Sequence, residues 1–592
     1  MNINERIAAL RKLMKEHDFS AYIIPSFDAH LSEYVAEHWQ ARKWISGFTG
    51  SAGTVVVTTD KAGLWADGRY FIQAENQIKD TEIELFKVGI PGFPTYEDWI
   101  CHELKEGEKV GIDGSVFSVN DVKRMQHKFD ENKIEIVSDF DLIDEIWTNR
   151  PDIPTSQVFL HDVKFAGKSR EEKIEMIRTE MKKQNLDYHL LTSLDDIAWT
   201  FNLRSNEIQN SPVTISFAII GLDSVHLFID PIKLNLDLTS DLEFSLIQLH
   251  PYEEIIEFLS KLESGKTILI DPNRTNIKLK NAISKECKIV EKPHLTTLMK
   301  STKNESEIAN LKRCQIRDGA AMVKFLYWLD NNIGKIKITE MGAAEKLAEI
   351  RSQGENFVDL SFNSISAYMS NAAMMHYAPS HENETELKPE GFYLIDSGGN
   401  YLDGTTDITR TVCLGPLSNE MKRDFTLVLK SHIDLCLAHF LEGTTGANLD
   451  ILARHPMWQE GLDYKCGTGH GVGYFLNVHE GPQNFSQKLI DVPFKPGMTT
   501  TNEPGIYKEN QYGLRIENTL LCVEDRKTDS GQFYKFEVIS FCPIDLDGVL
   551  PEMLSQKQKN WLNNYHREVF EKLSCGLAAE ELKWLKNQTR KI

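Results

Sequence analysis

Cysteine is sparse and dispersed in this chain, with nine residues among 592 and no CxxC pair. An odd, scattered set excludes a disulfide framework or a thiolate zinc site and reads as free thiols in a reducing compartment. Long apolar runs are also lacking. No stretch approaches the roughly 18 residues that a membrane-crossing helix requires, and Val213–Gly221 (VTISFAIIG) is only strand-sized. The opening MNINERIAAL RKLMKEHDFS is charged throughout, without an apolar signal core or cleavage site. Basic charge is in deficit: 66 Lys and Arg against 87 Asp and Glu leave a net −21. That excess repels nucleic acid and anionic membrane, so neither is expected as a partner. Low-complexity tracts and short-period repeats are missing as well. A soluble cytoplasmic protein is the expectation.

What remains is ordinary globular material, with 41% hydrophobic and 26% charged residues. At about 150 residues per domain, the length suggests two to four units. The first 300 residues read as one unit used twice. Asn2–Asp18 carries apolar residues at helical spacing, followed by Ala21–Pro25, the aromatic Trp44–Gly50, Thr54–Thr58 and Gly63–Asp67. The same order returns in Arg170–Gln184, Tyr188–Ser193, Trp199–Ser205, Phe217–Gly221 and Val225–Asp230. This alternation predicts two α/β domains of similar build. The connector Thr148–Ser156 holds two prolines, and a second boundary falls near Pro293–Lys303. Domains are therefore expected at 1–152, 153–302 and 303–592, the last with a C-terminal extension from about 530. Asn304 with Glu307 makes a capping box for a helix to about Asn332, ended by Gly334. Further helices are expected at Thr339–Gln353, Asn419–Phe440 and Gln556–Leu573, and strands at Gly391–Ser397, Thr405–Val412, Met498–Glu503 and Gly513–Glu524.

The chemistry lies in acids at strand ends and one histidine among glycines. In FYLIDSGGNYLDGTTDITRTV, Asp396 ends an apolar strand and Asp407 lies in the next. A hairpin brings the two carboxylates together, which is costly without a cation between them. Glu503 ends MTTTNEP, and Glu517 interrupts LRIENTLL. No matching cluster of Lys or Arg accompanies these acids. Four carboxylates balance two divalent ions, and His470 in GTGHGVG adds a neutral nitrogen ligand. Such a donor set favours manganese, with cobalt, iron or zinc as alternatives. A metal pair of this kind activates water and polarises a carbonyl, which is hydrolase chemistry. The glycine run fits neither a P-loop nor GxGxxG, and the chain contains no HExxH and no GxSxG.

The ordered set Asp396, Asp407, His470, Glu503 and Glu517 resembles the metal ligands of the pita-bread metallopeptidases. The strings LIDSGGNYLDGTTDITRT, GTGHGVGYFLNVHEGP, NEPGIY and GLRIENTLL are similar to aminopeptidase P, the Xaa-Pro aminopeptidases, in their long three-domain cytoplasmic form. WISGFTGSAGT and LWADGRYF extend the resemblance into the first domain, and the tail around Leu550–Phe570 extends it into the C-terminal extension. The resemblance implies two creatinase-like α/β domains ahead of a pita-bread catalytic domain. It implies release of an N-terminal residue when proline is second, by two Mn²⁺ ions bridged by water or hydroxide. By carry-over, Asp396 binds one ion, Asp407 and Glu517 bridge the pair, and His470 and Glu503 complete the other shell. Glu503 also handles the proton. His376 in AAMMHYAP would steady the tetrahedral intermediate or leaving nitrogen; read alone, it is equally a core histidine. His479 in NVHEGP would stand beside the proline pocket, and Tyr507 and Arg515 would line it. Arg515 has the alternative of pairing structurally with Glu517 or another acid. Many relatives carry a histidine where Cys466 stands here; a thiol cannot replace an imidazolium as a proton source, and a small buried filler is the simplest reading. Asp67 and Arg69 (WADGRY) belong either to the cleft wall, to a subunit interface or to a structural ion pair.

The same ligand set also serves prolidase, which cuts dipeptides. The two additional N-terminal domains favour the aminopeptidase. Methionine aminopeptidase has a catalytic domain that stands nearly alone, and creatinase needs no metal. A non-catalytic binding protein on this scaffold would be expected to have lost ligands. Partners expected from the resemblance are Xaa-Pro peptides and a second copy of the chain. The first two domains are expected to shape the active-site mouth and to mediate that pairing.

Overall fold

The computed structural model describes residues 1–382 and 384–592. They form two compact units, one of Met1–His161 with Lys168–Thr297 and one of Asp162–Gly167 with Leu298–Ile592.

The first unit holds two six-stranded sheets of the same topology. In one, the order in space is Ile83–Lys87, Ala62–Ala66, Thr54–Thr58, Ala21–Ile24, Lys109–Ile112 and Glu135–Val137. In the other it is Gln248–His250, Val225–Phe228, Phe217–Gly221, Tyr188–Leu191, Thr267–Ile270 and Lys288–Glu291. Corresponding neighbours share direction: Ala21–Ile24 pairs antiparallel with Thr54–Thr58 and parallel with Lys109–Ile112. Tyr188–Leu191 does the same with Phe217–Gly221 and Thr267–Ile270. The central strands are apolar and buried on both faces because helices such as Ile3–Glu16 and Arg170–Lys183 cover them. Both tryptophan segments fold as helix ends, Ala41–Ser46 closed by left-handed Gly47 and Leu194–Phe201 closed by left-handed Asn202.

The second unit opens with the helix Glu305–Asn332, whose Asn304–Glu307 capping box forms as the sequence predicts. The helix expected over Asn419–Phe440 ends earlier, at Cys436; His439–Leu441 is instead a strand paired with Gly531–Val538. The helix Gln556–Leu573 has the expected bounds. Its buried side chains join Phe425, Val428, Ile433 and Leu514 in an extended core.

Two strands read as continuous are broken. The segment around Asp407 splits into Gly404–Thr405, paired with Gly399–Tyr401, and Ile408–Cys413, paired with Phe392–Ser397. The segment around Glu517 splits into Tyr512–Arg515, paired with Gly505–Lys508, and Asn518–Thr528, paired with Thr499–Asn502. Each acid stands where the chain leaves one sheet for another. A carboxylate there is released from the strict up-down alternation of a strand, which lets it turn inward beside its counterparts.

Candidate metal centre

Asp396 is fixed first. It lies inside Phe392–Ser397, in register with Thr409 on one side and Ile365 on the other. Asp407 follows at the sheet break. Across from them, His470 occupies the short strand Gly469–Gly471. Its glycine neighbours are required sterically: a Cβ on Gly469 would stand 1.9 Å from the Thr501 carbonyl oxygen, and one on Gly471 would stand 2.0 Å from that of Glu480. Only glycine admits so close a backbone approach. Glu503 leaves the end of Thr499–Asn502, its amide donating to the Thr468 carbonyl at 2.8 Å.

The five side chains converge. Ligand atoms of Asp407, His470 and Glu517 lie within 4.8 Å of one another. His470 Nε2 is 3.3 Å from Asp407 Oδ2 and 3.4 Å from Glu503 Oε1. Arg515 donates through Nη2 to Asp396 Oδ2, and its Nε lies 3.8 Å from Glu503 Oε2. Asp396 Oδ1 is buried and has no hydrogen-bond partner among the described residues. An orphaned carboxylate oxygen facing three further acids is the electrostatic signature of a cation site.

Several hydroxyls orient the donors. Thr409 Oγ1 donates to Glu517 Oε2 at 2.7 Å. Thr501 Oγ1 accepts from the His470 amide at 3.0 Å and donates to Glu503 Oε1 at 3.2 Å. His470 Nδ1 is 2.9 Å from the Gly471 carbonyl, which leaves Nε2 directed at the acids. Without a cation the charges strain against each other. Burial, together with the charges of Asp407 and Glu503, pushes Asp396 up to about 6 against the pull of Arg515. Burial and the three other acids raise Glu517 well above the usual carboxylate range. For His470 burial works against charging, but the Asp407 hydrogen bond and the Glu503 charge win and raise it to about 9. A divalent ion reverses this pattern by favouring ionised acids and a neutral imidazole.

The remaining candidates have different surroundings. The His479 ring meets His470 edge-on, with centroids 4.3 Å apart. Tyr507 accepts from Arg515 Nη1 at 2.7 Å. Arg515 is 3% exposed, and its guanidinium is spent on Asp396, Thr409 and Tyr507. Half-buried His376 lies in the turn after the 3-10 segment Met369–Ala373, which packs on the Tyr512–Arg515 strand closely enough that a Cβ on Gly513 would stand 1.8 Å from the Ala372 carbonyl oxygen. Cys466 is half-buried against the main core, and its carbonyl accepts from Arg454 at 2.6 Å. Asp67 and Arg69 form a two-pronged ion pair at 2.9 and 2.7 Å in the first unit.

Sequence reading missed Thr409 and Thr501. Thr501 stands two residues before Glu503, a local spacing that lets its hydroxyl reach the carboxylate, whereas Thr409 reaches Glu517 across 108 positions and leaves no local signal.

Family models align along the chain. The Creatinase/Prolidase N-terminal domain matches at residues 6–146 and again at 149–307. Metallopeptidase family M24 matches at 309–524 and the C-terminal region of peptidase M24 at 532–592. A probable Xaa-Pro aminopeptidase P of Laccaria bicolor is 40% identical, covering 99% of this chain and 93% of that protein. Aminopeptidase P2 of Arabidopsis thaliana is 38% identical, covering 100% and 89%. The crystal structure of X-prolyl aminopeptidase from Caenorhabditis elegans, described as a cytosolic enzyme with a di-nuclear active site, superposes with a TM-score of 0.96 at 34% identity, covering 100% of both chains.

Proposed function

The chain belongs to metallopeptidase family M24, in the Xaa-Pro aminopeptidase branch that it matches from end to end, and from that premise we infer that it is a metallo-aminopeptidase releasing the N-terminal residue from peptides with proline in second position. The observation that carries the reading is the convergence of Asp396, Asp407, His470, Glu503 and Glu517, with one Asp396 oxygen buried and unpartnered.

Those five residues would hold two divalent ions, with Mn²⁺ favoured by an oxygen-rich set carrying one imidazole. When bound, the ions supply Lewis acidity to the scissile carbonyl and to water. The protein supplies the rest. Glu503, oriented by Thr501, is the base that takes the proton of the attacking water and delivers it to the leaving nitrogen. His479, edge-on to His470, contacts the substrate beside the reacting bond. His376 steadies the tetrahedral intermediate. Arg515 acts through Asp396 and Tyr507, holding the first in place and turning the second toward the proline side. Proline selectivity follows from shape and from the lack of an amide N–H at the tertiary peptide nitrogen, because apolar contact alone separates similar side chains by only about 1–3 kcal/mol. The enzyme works as a homodimer in the cytoplasm.

The test is metal analysis of purified protein together with turnover of an Xaa-Pro tripeptide and an Xaa-Pro dipeptide, before and after chelation. Two ions per chain and chelator-sensitive cleavage of the tripeptide are expected. Cleavage of the dipeptide alone would make the enzyme a prolidase, and fully metallated protein that cleaves neither would refute the assignment.

A further inference from the structure

Behind the ligand cluster runs a buried polar network with no direct part in the reaction. Asn518 follows Glu517, and Asn502 precedes Glu503. Between them stands His432, wholly buried on the helix Asn419–Cys436. Its Nδ1 is 3.1 Å from the Asn502 carbonyl oxygen, and its Nε2 is 3.0 Å from Asn518 Nδ2. A carbonyl can only accept and an amide nitrogen can only donate, so the ring is the neutral Nδ1–H tautomer. The Asn502 amide donates back to the His432 carbonyl at 2.9 Å.

The other end of Asn518 is held as firmly. Its Oδ1 accepts from Arg410 Nη2 at 2.9 Å and from the Tyr565 hydroxyl at 3.2 Å. Arg410 is 2% exposed, and its hydrogen-bond partners among the described residues are all neutral: the carbonyls of Thr409, Glu517, Cys542 and Pro543, the Tyr565 hydroxyl and Asn518. Tyr565 comes from the helix Gln556–Leu573, within the C-terminal region of the family. A buried guanidinium without a carboxylate is a poor device for stability. Its hydrogen bonds to the Thr409 and Glu517 carbonyls, at 2.8 and 2.6 Å, are instead a means of fixing backbone beside two of the acids.

We propose that Asn518, clamped between the Arg410–Tyr565 pair and His432, is a positioning residue that sets the spacing of Glu503 and Glu517 and thereby the affinity of the site for divalent cations. The proposal deepens the metal-centre reading and rests on it. It makes the C-terminal helix Gln556–Leu573 a working support of the centre, although that helix supplies no ligand.

The experiment uses full-length protein stripped by chelation and titrated with Mn²⁺ by calorimetry, as wild type, Asn518→Ser, Tyr565→Phe and the control Leu347→Ala. Leu347 is buried in a separate core of the same unit. Groups that orient metal ligands are worth about 10- to 100-fold in affinity, so Asn518→Ser should weaken Mn²⁺ binding by about that range and Tyr565→Phe by less. At saturating Mn²⁺, kcat should fall while KM for an Xaa-Pro tripeptide holds. Leu347→Ala should lower the thermal midpoint and leave Mn²⁺ affinity at the wild-type value. Wild-type affinity in both Asn518→Ser and Tyr565→Phe would overturn the proposal, as would an equal affinity loss in Leu347→Ala. Failure of the wild type to bind Mn²⁺ would instead overturn the metal-centre reading beneath it.

Discussion

In the N-terminal unit, Lys233 Nζ and Glu207 Oε1 meet at 2.8 Å, both side chains 1% exposed or less. Lys173 there donates to the Trp199 carbonyl and to Asn202, and His189 faces His294 at 3.1 Å. These buried lysines and histidines are paired or solvated by neutral groups. Burial keeps its inner histidines uncharged, lowering His30 to about 3 and His189 well below its ordinary value. In the catalytic unit, four acids share a small space with one arginine and one histidine. There the imbalance is left standing. One unit pairs or solvates the lysines it buries as part of folding, whereas the other defers neutralisation of its acid cluster to a ligand. A structural polar core and a functional one differ in this, since only the second is incomplete without something from solution.

The largest effect that would sharpen this contrast is on activity. Glu517→Gln should abolish two-ion binding and lower kcat/KM by about a thousandfold or more, because one of the carboxylates proposed to hold the ions is lost. In the metal-free form the same change should raise the thermal midpoint near neutral pH, since glutamine avoids the cost that burial and three neighbouring acids place on a Glu517 that is ionised in the unfolded chain. A metal-free variant less stable than metal-free wild type would erase the distinction between the units. Next in size, Glu207→Ala strands buried Lys233 and should cost about 3–5 kcal/mol in denaturant unfolding, with Mn²⁺ affinity unchanged.

Acid titration separates the units by sign. A buried histidine whose folded pKa lies below 6.5 leaves the unfolded chain binding more protons, so its presence costs stability as pH falls from 6.5 toward that pKa. His30→Gln should therefore make the loss of stability between pH 6.5 and about 4 shallower by roughly 1.4 kcal/mol per pH unit. Glu517 has the opposite linkage: its folded pKa is raised, so metal-free wild type gains stability as pH falls toward the unfolded value near 4.5. Metal-free Glu517→Gln lacks that gain and should show the steeper acid loss. Slopes shifting in the same direction in both variants would break the comparison. The smallest effect is expected at Cys466→His. Metal content should stay at two ions per chain while the pH profile of kcat moves; loss of metal would place the thiol in the ligand shell.

Much of the frame was legible because it rests on local rules. The Asn304–Glu307 capping box, the helix Gln556–Leu573 and the repeated order of strands in the first 300 residues all follow from short-range spacing. The four acids and one histidine stood out because charged or polar groups interrupt apolar strands in a pattern that resembles one metal-binding family. Less legible were the strand breaks at Asp407 and Glu517, since a change of sheet depends on which distant strand is available to pair. The early end of the helix at Cys436 has the same cause: His439–Leu441 is claimed by Gly531–Val538, nearly a hundred residues away.

The sequence alone determined which groups could bind cations and the order in which the chain presents them, because side-chain chemistry and period-two or period-3.6 spacing are properties of neighbours. Tertiary structure alone decided that Arg515 spends its charge on Asp396, that Thr409 aims Glu517, and that Arg410, Tyr565 and His432 support Asn518 from behind. Those are contacts between residues up to 155 positions apart. They exist only once packing has excluded water and left the buried donors only protein acceptors within reach.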